Sequence, residues 1–240
     1  AIYTSKTKID LEDVGYSNKI TNKAILKILE NAGARQSETI HFGLNDMENV
    51  GFSWILLGWK VKILKRPIYN EELTINTWGR DSNRIFTYRD YEIYDESGEL
   101  CTIATSKWAI VDINTGKLRE LTPEIIEKYQ CETKKVFEED YTLKLKEPAT
   151  IIRKQEYKAQ RRDIDINKHI HNLYYLDYAY EVLPEEVYEA PECNNIEIMY
   201  KKQIRLNDEF KCLYTKEENQ NIVTMKSEDE NTLHAIIKLY

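Results

Sequence analysis

Lys23-Ala-Ile-Leu-Lys-Ile-Leu-Glu-Asn-Ala-Gly-Ala34 places Ala24, Ile25, Ile28, Leu29 and Ala32 on one helical face, with Thr21 or Asn22 positioned to cap its start. Strand-like segments follow. Phe52–Lys65 is rich in Trp, Ile, Leu and Val; Glu72–Trp78 and Arg84–Tyr94 alternate; Glu99–Val111 completes a set of four. Arg66-Pro67-Ile-Tyr-Asn70 supplies the turn after the first, and Glu96-Ser97-Gly98 the turn between the last two. One amphipathic helix followed by antiparallel strands predicts an α+β layer pair, the sheet curling round the helix.

The pattern then recurs. Thr122-Pro123 opens a short helix over Glu124–Gln130, with proline at the favoured first turn. Residues 131–152 read as a connector and Lys154–Arg162 as an entry strand. A second helical period runs from about Asn172 to Val182, closed by Pro184, and strand-like segments follow at Ile196–Arg205, Glu209–Lys216, Asn221–Lys226 and Thr232–Tyr240. Lys65-Arg-Pro-Ile-Tyr-Asn70-Glu71-Glu72 parallels Lys202-Gln-Ile-Arg-Leu-Asn207-Asp208-Glu209, and Asn18-Lys19-Ile20 parallels Asn167-Lys168-His169. Two matches in one element order predict an internal duplication: a first domain over 1–130, the connector over 131–152, and a second domain over 153–240.

Composition narrows the function classes. Of 240 residues, 42% are apolar and 31% charged, the balance of a folded, water-soluble chain. Aromatics favour Tyr (17) over Phe (5) and Trp (4), which suits long strands. No stretch has the ~20 apolar residues of a membrane span, and the N-terminus lacks the apolar core of a signal peptide. Cys101, Cys131, Cys193 and Cys212 have no metal-like spacing, so thiols in a reducing cytoplasm are expected. A net charge of −7 argues against a nucleic-acid partner. Positive charge is nevertheless concentrated between Arg153 and Lys168, and again at Lys201, Lys202 and Arg205. Such patches fit either an acidic protein partner steered to one place or lysine-guarded strand edges.

Asp163-Ile-Asp165-Ile-Asn167-Lys-His169-Ile-His171-Asn172-Leu-Tyr-Tyr175 resembles the Asp-x-Asn-x-His core of the acyl-acyl carrier protein thioesterases of plants and bacteria, which has a further Asn three residues on. Asp13-Val14-Gly15, Glu30-Asn-Ala-Gly33, Ala104-Thr-Ser-Lys-Trp108 with Asp112, and Leu121-Thr-Pro-Glu124 resemble the same family, so the likeness covers essentially the whole chain. It implies a tandem (double) hotdog, two antiparallel sheets each wrapped round a long central helix. It also implies hydrolysis of fatty acyl-acyl carrier protein without cofactor or metal. One departure stands out: where the family usually carries a catalytic Glu, Tyr200-Lys201-Lys202-Gln203 presents an amide.

Thioester hydrolysis needs a water, a base for its proton and donors for the oxyanion. Among four histidines, His169 within this block is the expected base. In an extended segment Asp165, Asn167 and His169 would point the same way and line one wall. Asn167 would donate to a carbonyl or hold the imidazole, Asp165 would orient either, and Gln203 would position water. Backbone N–H groups at the following helix start would form the oxyanion site. Asn172 is read as a cap or a site residue, and His171 as a supporting or surface residue. Tyr175 and Trp54 are expected against the acyl chain, with Ile55, Leu57 and Trp59 beside Trp54. Ile20 is expected where His169 stands in the second half. Arg161, Arg162, Lys168, Lys201, Lys202 and Arg205 would dock the acidic carrier protein transiently, and a homodimer is compatible. An acyl-CoA thioesterase, or an acyl-binding protein without turnover, remains open on the same scaffold.

Overall fold

Helix α1 spans Asn22–Thr39, and its first turn is closed by Thr21, whose Oγ1 accepts from the Ala24 N–H at 3.2 Å. It buries Ala24, Ile25, Ile28, Leu29 and Ala32 and continues past residue 34 through buried Gln36 and Ser37. Those polar positions carry no apolar period, but each has a partner: Gln36 accepts from the Arg89 guanidinium, and Ser37 Oγ meets Tyr129 Oη at 2.8 Å. The structure is a computed structural model that describes residues 1–139 and 142–240, and the chain divides into two units, Ala1–Asp140 and Tyr141–Tyr240. Asp140 and Tyr141, part of the expected connector, lie outside the described residues.

In the first unit, strands β1 (Tyr3–Lys8), β2 (Phe52–Ile63), β3 (Glu72–Ser82), β4 (Thr87–Tyr94) and β5 (Leu100–Asp112) form an antiparallel sheet in the order β1-β3-β4-β5-β2, and β6 (Leu118–Arg119) pairs with β5. Short helices α2 (Met47–Val50) and α3 (Pro123–Tyr129) flank it. Helix α1 packs on β1 and β3. Gly33 lets α1 come close to β4, because a Cβ there would lie 3.1 Å from the Tyr91 hydroxyl and 3.2 Å from Arg89 Cδ. Trp59, Trp78 and Tyr91 fill the interior.

In the second unit, β7 (Arg153–Lys158), β8 (Asn195–Tyr200), β9 (Glu209–Glu217), β10 (Gln220–Ser227) and β11 (Leu233–Leu239) run antiparallel in the order β7-β9-β10-β11-β8. A 3-10 turn over Asn172–Tyr174 leads into α4 (Tyr175–Val182), and α5 (Glu185–Glu189) follows Pro184. The helical segment ends at Val182 as expected, with Leu183 extended ahead of Pro184, but its first turn is 3-10, so only 8 residues are α-helical and the second helix is much shorter than α1. Tyr157, Tyr178 and Phe210 stack edge and face between β7, α4 and β9. The strand expected to run to Arg205 ends at Tyr200, where the chain turns off the ladder.

The expected connector forms neither helix nor strand among its described residues, but it is not loose. Beside the first sheet, Trp78 Nε1 donates to the Lys134 carbonyl at 2.9 Å and the Val136 N–H to Asp90 at 2.9 Å. Beside the second, Leu145 packs against Met199, and Lys226 pairs with Glu147 at 2.7 Å.

The two units repeat down to individual bonds. The Thr21 N–H donates to the Asp13 carbonyl and the His171 N–H to the Asp163 carbonyl, both at 2.9 Å. The Ile20 N–H donates to the Pro67 carbonyl at 2.9 Å and the Ile170 N–H to the Ile204 carbonyl at 2.8 Å. Asn70 and Asn207 both take positive φ, 71° and 69°, a conformation asparagine tolerates. These bonds shift one sequence match by a residue: Lys19, not Ile20, occupies the place of His169, and Ile20 that of Ile170. Replacing fully buried Leu29 with Ala should cost about 2–5 kcal/mol. A urea titration should show this as a lower midpoint at unchanged slope.

Candidate active site

Residues 163–171 form a closed loop. An isolated bridge joins Ile164 to Ile170, the Asp165 N–H donates to the His169 carbonyl at 2.8 Å, and the Lys168 N–H returns to the Asp165 carbonyl at 3.0 Å. Lys168 takes a left-handed φ of 65° to complete the turn. This corrects the expected extended wall: Asp165, Asn167 and His169 do not alternate along a strand but stand round a turn. Asp165 Oδ1 accepts from the N–H groups of Asn167 at 2.9 Å and His169 at 3.3 Å, an Asx-type turn. Asn167 is exposed at its tip.

The first unit makes the same turn with Gly15 in place of Asp165, its N–H on the Lys19 carbonyl at 3.1 Å. The backbone there closes without a side-chain carboxylate, so the turn itself does not require Asp165. Its other oxygen lies 3.9 Å from His171 Nδ1. Below the loop, Asp163 is only 8% exposed and accepts from the Tyr178 hydroxyl, tying the loop to α4.

The facing wall is the stretch after β8. The Lys201 N–H donates to the His234 carbonyl at 2.8 Å, and His234 Nδ1 meets the Lys202 carbonyl at 2.7 Å. A carbonyl only accepts, so His234 carries its proton on Nδ1. His169 bridges Arg205, and the Arg205 N–H donates to Asp208 Oδ2 at 2.9 Å. Gln203 is exposed, one residue from the Ile204 carbonyl that holds Ile170. Its counterpart Arg66 shows what that position can reach: Nη1 donates to the Ile20 carbonyl at 2.9 Å and Nη2 to Asn22 Oδ1 at 2.7 Å. By position in the repeat, the counterparts of those two groups are the Ile170 carbonyl and the Asn172 side chain.

The helix starts differ. Thr21 caps α1, whereas His171 in the same place makes no side-chain cap, and the N–H groups of Asn172 and Leu173 open the 3-10 turn without an intrahelical acceptor. The Asn172 carbonyl accepts from the Tyr200 hydroxyl at 3.3 Å. Tyr175 is buried edge-on against Tyr200 with ring centroids 5.3 Å apart, and burial pushes its phenol well up. Burial also holds the His169 imidazole below its ordinary value, opposed by the charge of Asp165, helped by Arg205 and opposed again by Asp208. His169 Nδ1 is buried without a hydrogen-bond partner among the described residues.

The loop and its facing wall thus bring together Asp165, His169, Asn172, Tyr175 and the backbone beside Gln203. Arg161, Arg162, Lys168, Lys201, Lys202 and Arg205 are all exposed on these two segments. Trp54 belongs to the first unit, where it packs edge-to-face on Phe52 and Tyr129. Sequence reasoning passed over Asp208 and His234. Asp208 stands within the repeated Asn207-Asp208-Glu209 segment, whereas His234 has no motif and only its burial reveals it.

Helix-on-antiparallel-sheet, occurring twice with one copy bearing an imidazole loop, defines a duplicated α+β protein. Family models agree: the acyl-ACP thioesterase N-terminal domain matches residues 1–129 and the C-terminal domain residues 146–238. The chain belongs to the acyl-ACP thioesterase family. Oleoyl-acyl carrier protein thioesterase 2 of Arabidopsis thaliana is 25% identical over 238 residues, covering 92% of this chain and 65% of that protein. The chain thus spans less than two thirds of the length of the first curated relatives it matches. An acyl-ACP thioesterase structure from Bacteroides thetaiotaomicron superposes with a TM-score of 0.86 at 22% identity, covering 99% of this chain and 96% of that one. The 12:0-ACP thioesterase of Umbellularia californica gives a TM-score of 0.85 at 17% identity over 99% and 96%. Among the described residues, no helix is long and apolar enough to cross a membrane.

Asp165→Ala should remove both side-chain bonds of the turn and cost about 1 kcal/mol. Asp165→Asn keeps an acceptor oxygen and should melt within about 0.5 kcal/mol of wild type by urea titration.

Proposed function

We propose that this chain hydrolyses the thioester of fatty acyl-acyl carrier protein to release free fatty acid, with His169 as general base. The observation that carries the reading is a partly buried imidazole, its Nδ1 unpartnered among the described residues, on a turn beside an uncapped helix start. Family membership supports the substrate class. An imidazole held below its ordinary pKa is neutral at physiological pH and ready to accept a proton from water. In this reading the Asn172 and Leu173 N–H groups receive the developing oxyanion. Asn167 and Asp165 support the imidazole loop, and Gln203 orients the attacking water without taking its proton.

Each unit is read as one hotdog, with the first (1–130) shaping the acyl site and the second (153–240) carrying the base. Trp54 and Tyr175 are taken as acyl-contacting residues, and the exposed Arg161, Arg162, Lys168, Lys201, Lys202 and Arg205 as the surface that attracts the acidic carrier. Four free thiols suit a reducing cytoplasm. The amide at Gln203 favours one second reading, an acyl-binding protein without turnover.

Hydrolysis of acyl-carrier-protein and acyl-CoA thioesters by the purified chain, followed as free fatty acid by chromatography, separates these readings. His169→Ala should lower turnover on the carrier substrate by about 10²-fold or more. Retention of full turnover would remove His169 from the mechanism, and acyl binding without release by the wild type would favour the second reading. The pH dependence has a definite sign. Protonation abolishes the base, so kcat/KM should fall as pH drops through a value below the ordinary histidine pKa of about 6.5.

A further inference from the structure

We propose that His234 is a positioning residue for the reaction: its Nδ1–H holds the Lys202 carbonyl and so fixes Gln203 and the loop that carries His169. The proposal rests on the assignment of His169 as the base.

Strand β8 ends at Tyr200, paired with Ala235, and the chain then leaves the ladder. Two backbone bonds follow it out, from the Lys201 N–H to the His234 carbonyl at 2.8 Å and from the Lys202 N–H to the Leu233 carbonyl at 3.2 Å. Lys201, Lys202 and Gln203 are all exposed, and their own side chains do not anchor this stretch. The His234 ring does. It is 5% exposed, and its Nδ1 lies 2.7 Å from the Lys202 carbonyl. A hydrogen bond sets direction as well as distance, and a ring packed in the interior does not turn to follow a displaced carbonyl.

Two residues on, the Ile204 carbonyl receives the Ile170 N–H at 2.8 Å, next to His169. Gln203 is therefore flanked by two held carbonyls, one fixed by His234 and the other bonded to the imidazole loop. Releasing the Lys202 carbonyl frees the peptide before Gln203, and the next anchor along the chain is the one that sets the loop.

The first unit shows that the imidazole bond is not part of the shared scaffold. The Leu64 and Lys65 N–H groups repeat the backbone bonds, both to the Cys101 carbonyl, at 2.7 and 3.2 Å. Cys101 stands in the place of His234, and its Sγ donates to the Glu99 carbonyl at 3.4 Å rather than to Lys65. That stretch is secured by its own side chains: Lys65 Nζ reaches Asp95 and Glu99 at 2.6 and 2.8 Å, and Arg66 bonds the Ile20 carbonyl and Asn22. In the second unit an imidazole from β11 takes over the anchoring, and position 203 is released toward solvent on a backbone that stays fixed. Orienting a water needs that combination.

Amide substitutions separate the bond from the bulk of the ring. The side-chain nitrogen of asparagine sits as far from Cβ as Nδ1 does, whereas that of glutamine sits near the place of Nε2. His234→Asn should keep the bond and His234→Gln should lose it. Hydrogen exchange followed by NMR reads the loop directly, with the Val223 amide of the central strand β10 as internal reference. The Ile170 amide should exchange about 10-fold faster in His234→Gln and within about 2-fold of wild type in His234→Asn. On the acyl-carrier substrate, kcat of His234→Gln should fall about 10-fold at a KM within about 2-fold of wild type, and His234→Asn should recover most of it. Unchanged Ile170 exchange in His234→Gln, an equal rise at Val223, equal losses in the two variants, or a faster Ile170 amide at full kcat overturns the proposal. If His169→Ala keeps full turnover, the base assignment fails instead, and the Ile170 amide still reports whether His234 holds the turn.

Discussion

Each unit closes on a backbone hydrogen bond between the loop that precedes its helix and the turn that follows its second strand: Ile20 to Pro67 in one, Ile170 to Ile204 in the other. A buried amide left without an acceptor is costly, so this pairing constrains where the loop can lie. It also places the helix start, because the next amide in each copy reaches back to a buried aspartate, Asp13 or Asp163. The loop therefore owes its shape chiefly to main-chain bonds. Its outward side chains are left available for chemistry.

The duplication displays that freedom directly. On matching backbones, Gly15 faces Asp165, Lys19 faces His169, Thr21 faces His171 and Arg66 faces Gln203. In the second unit Asp165 and His171 add titratable groups, His169 exchanges an ammonium for an imidazole, and Gln203 gives up a structural contact. Thr21 caps its helix and His171 does not; Arg66 ties down Asn22 and the Ile20 carbonyl, while Gln203 is exposed. At this loop and the turn facing it, the first copy has the helix cap and the Arg66 bonds that the second lacks. At this loop, polar groups left without the structural partners of their counterparts are the pattern expected where a scaffold gives up stability for function.

Much of the fold was legible because long core strands and α1 carry strong periods, as in Phe52–Ile63 and around Ile25, Ile28 and Leu29. The edge strand Tyr3–Lys8 was not, since Thr4, Lys6 and Lys8 face solvent opposite Tyr3, Ser5 and Thr7, and neither row is strongly apolar. The site divides along similar lines. Asp165 and His169 are close in sequence and share a recognisable spacing. Their geometry was misjudged because a left-handed Lys168 cannot be anticipated from a lysine. Asp208 and His234 are brought to the loop by strand pairing alone, and no local pattern reports a contact made through the sheet.

The placement of His169 reflects a compromise between burial and the surrounding charges. Burial alone would leave His169 a poor proton acceptor, because the imidazolium form is penalised in a dry environment. Full exposure would keep its basicity but place it in solvent, where nearby charges and hydrogen bonds act on it more weakly. The chain settles between these, half-burying the ring on a turn and offsetting the penalty with carboxylates from both walls, while Arg205 limits how far the offset goes. Gln203, exposed on the stretch that leads into the facing turn, is neutral and adds no charge to that balance.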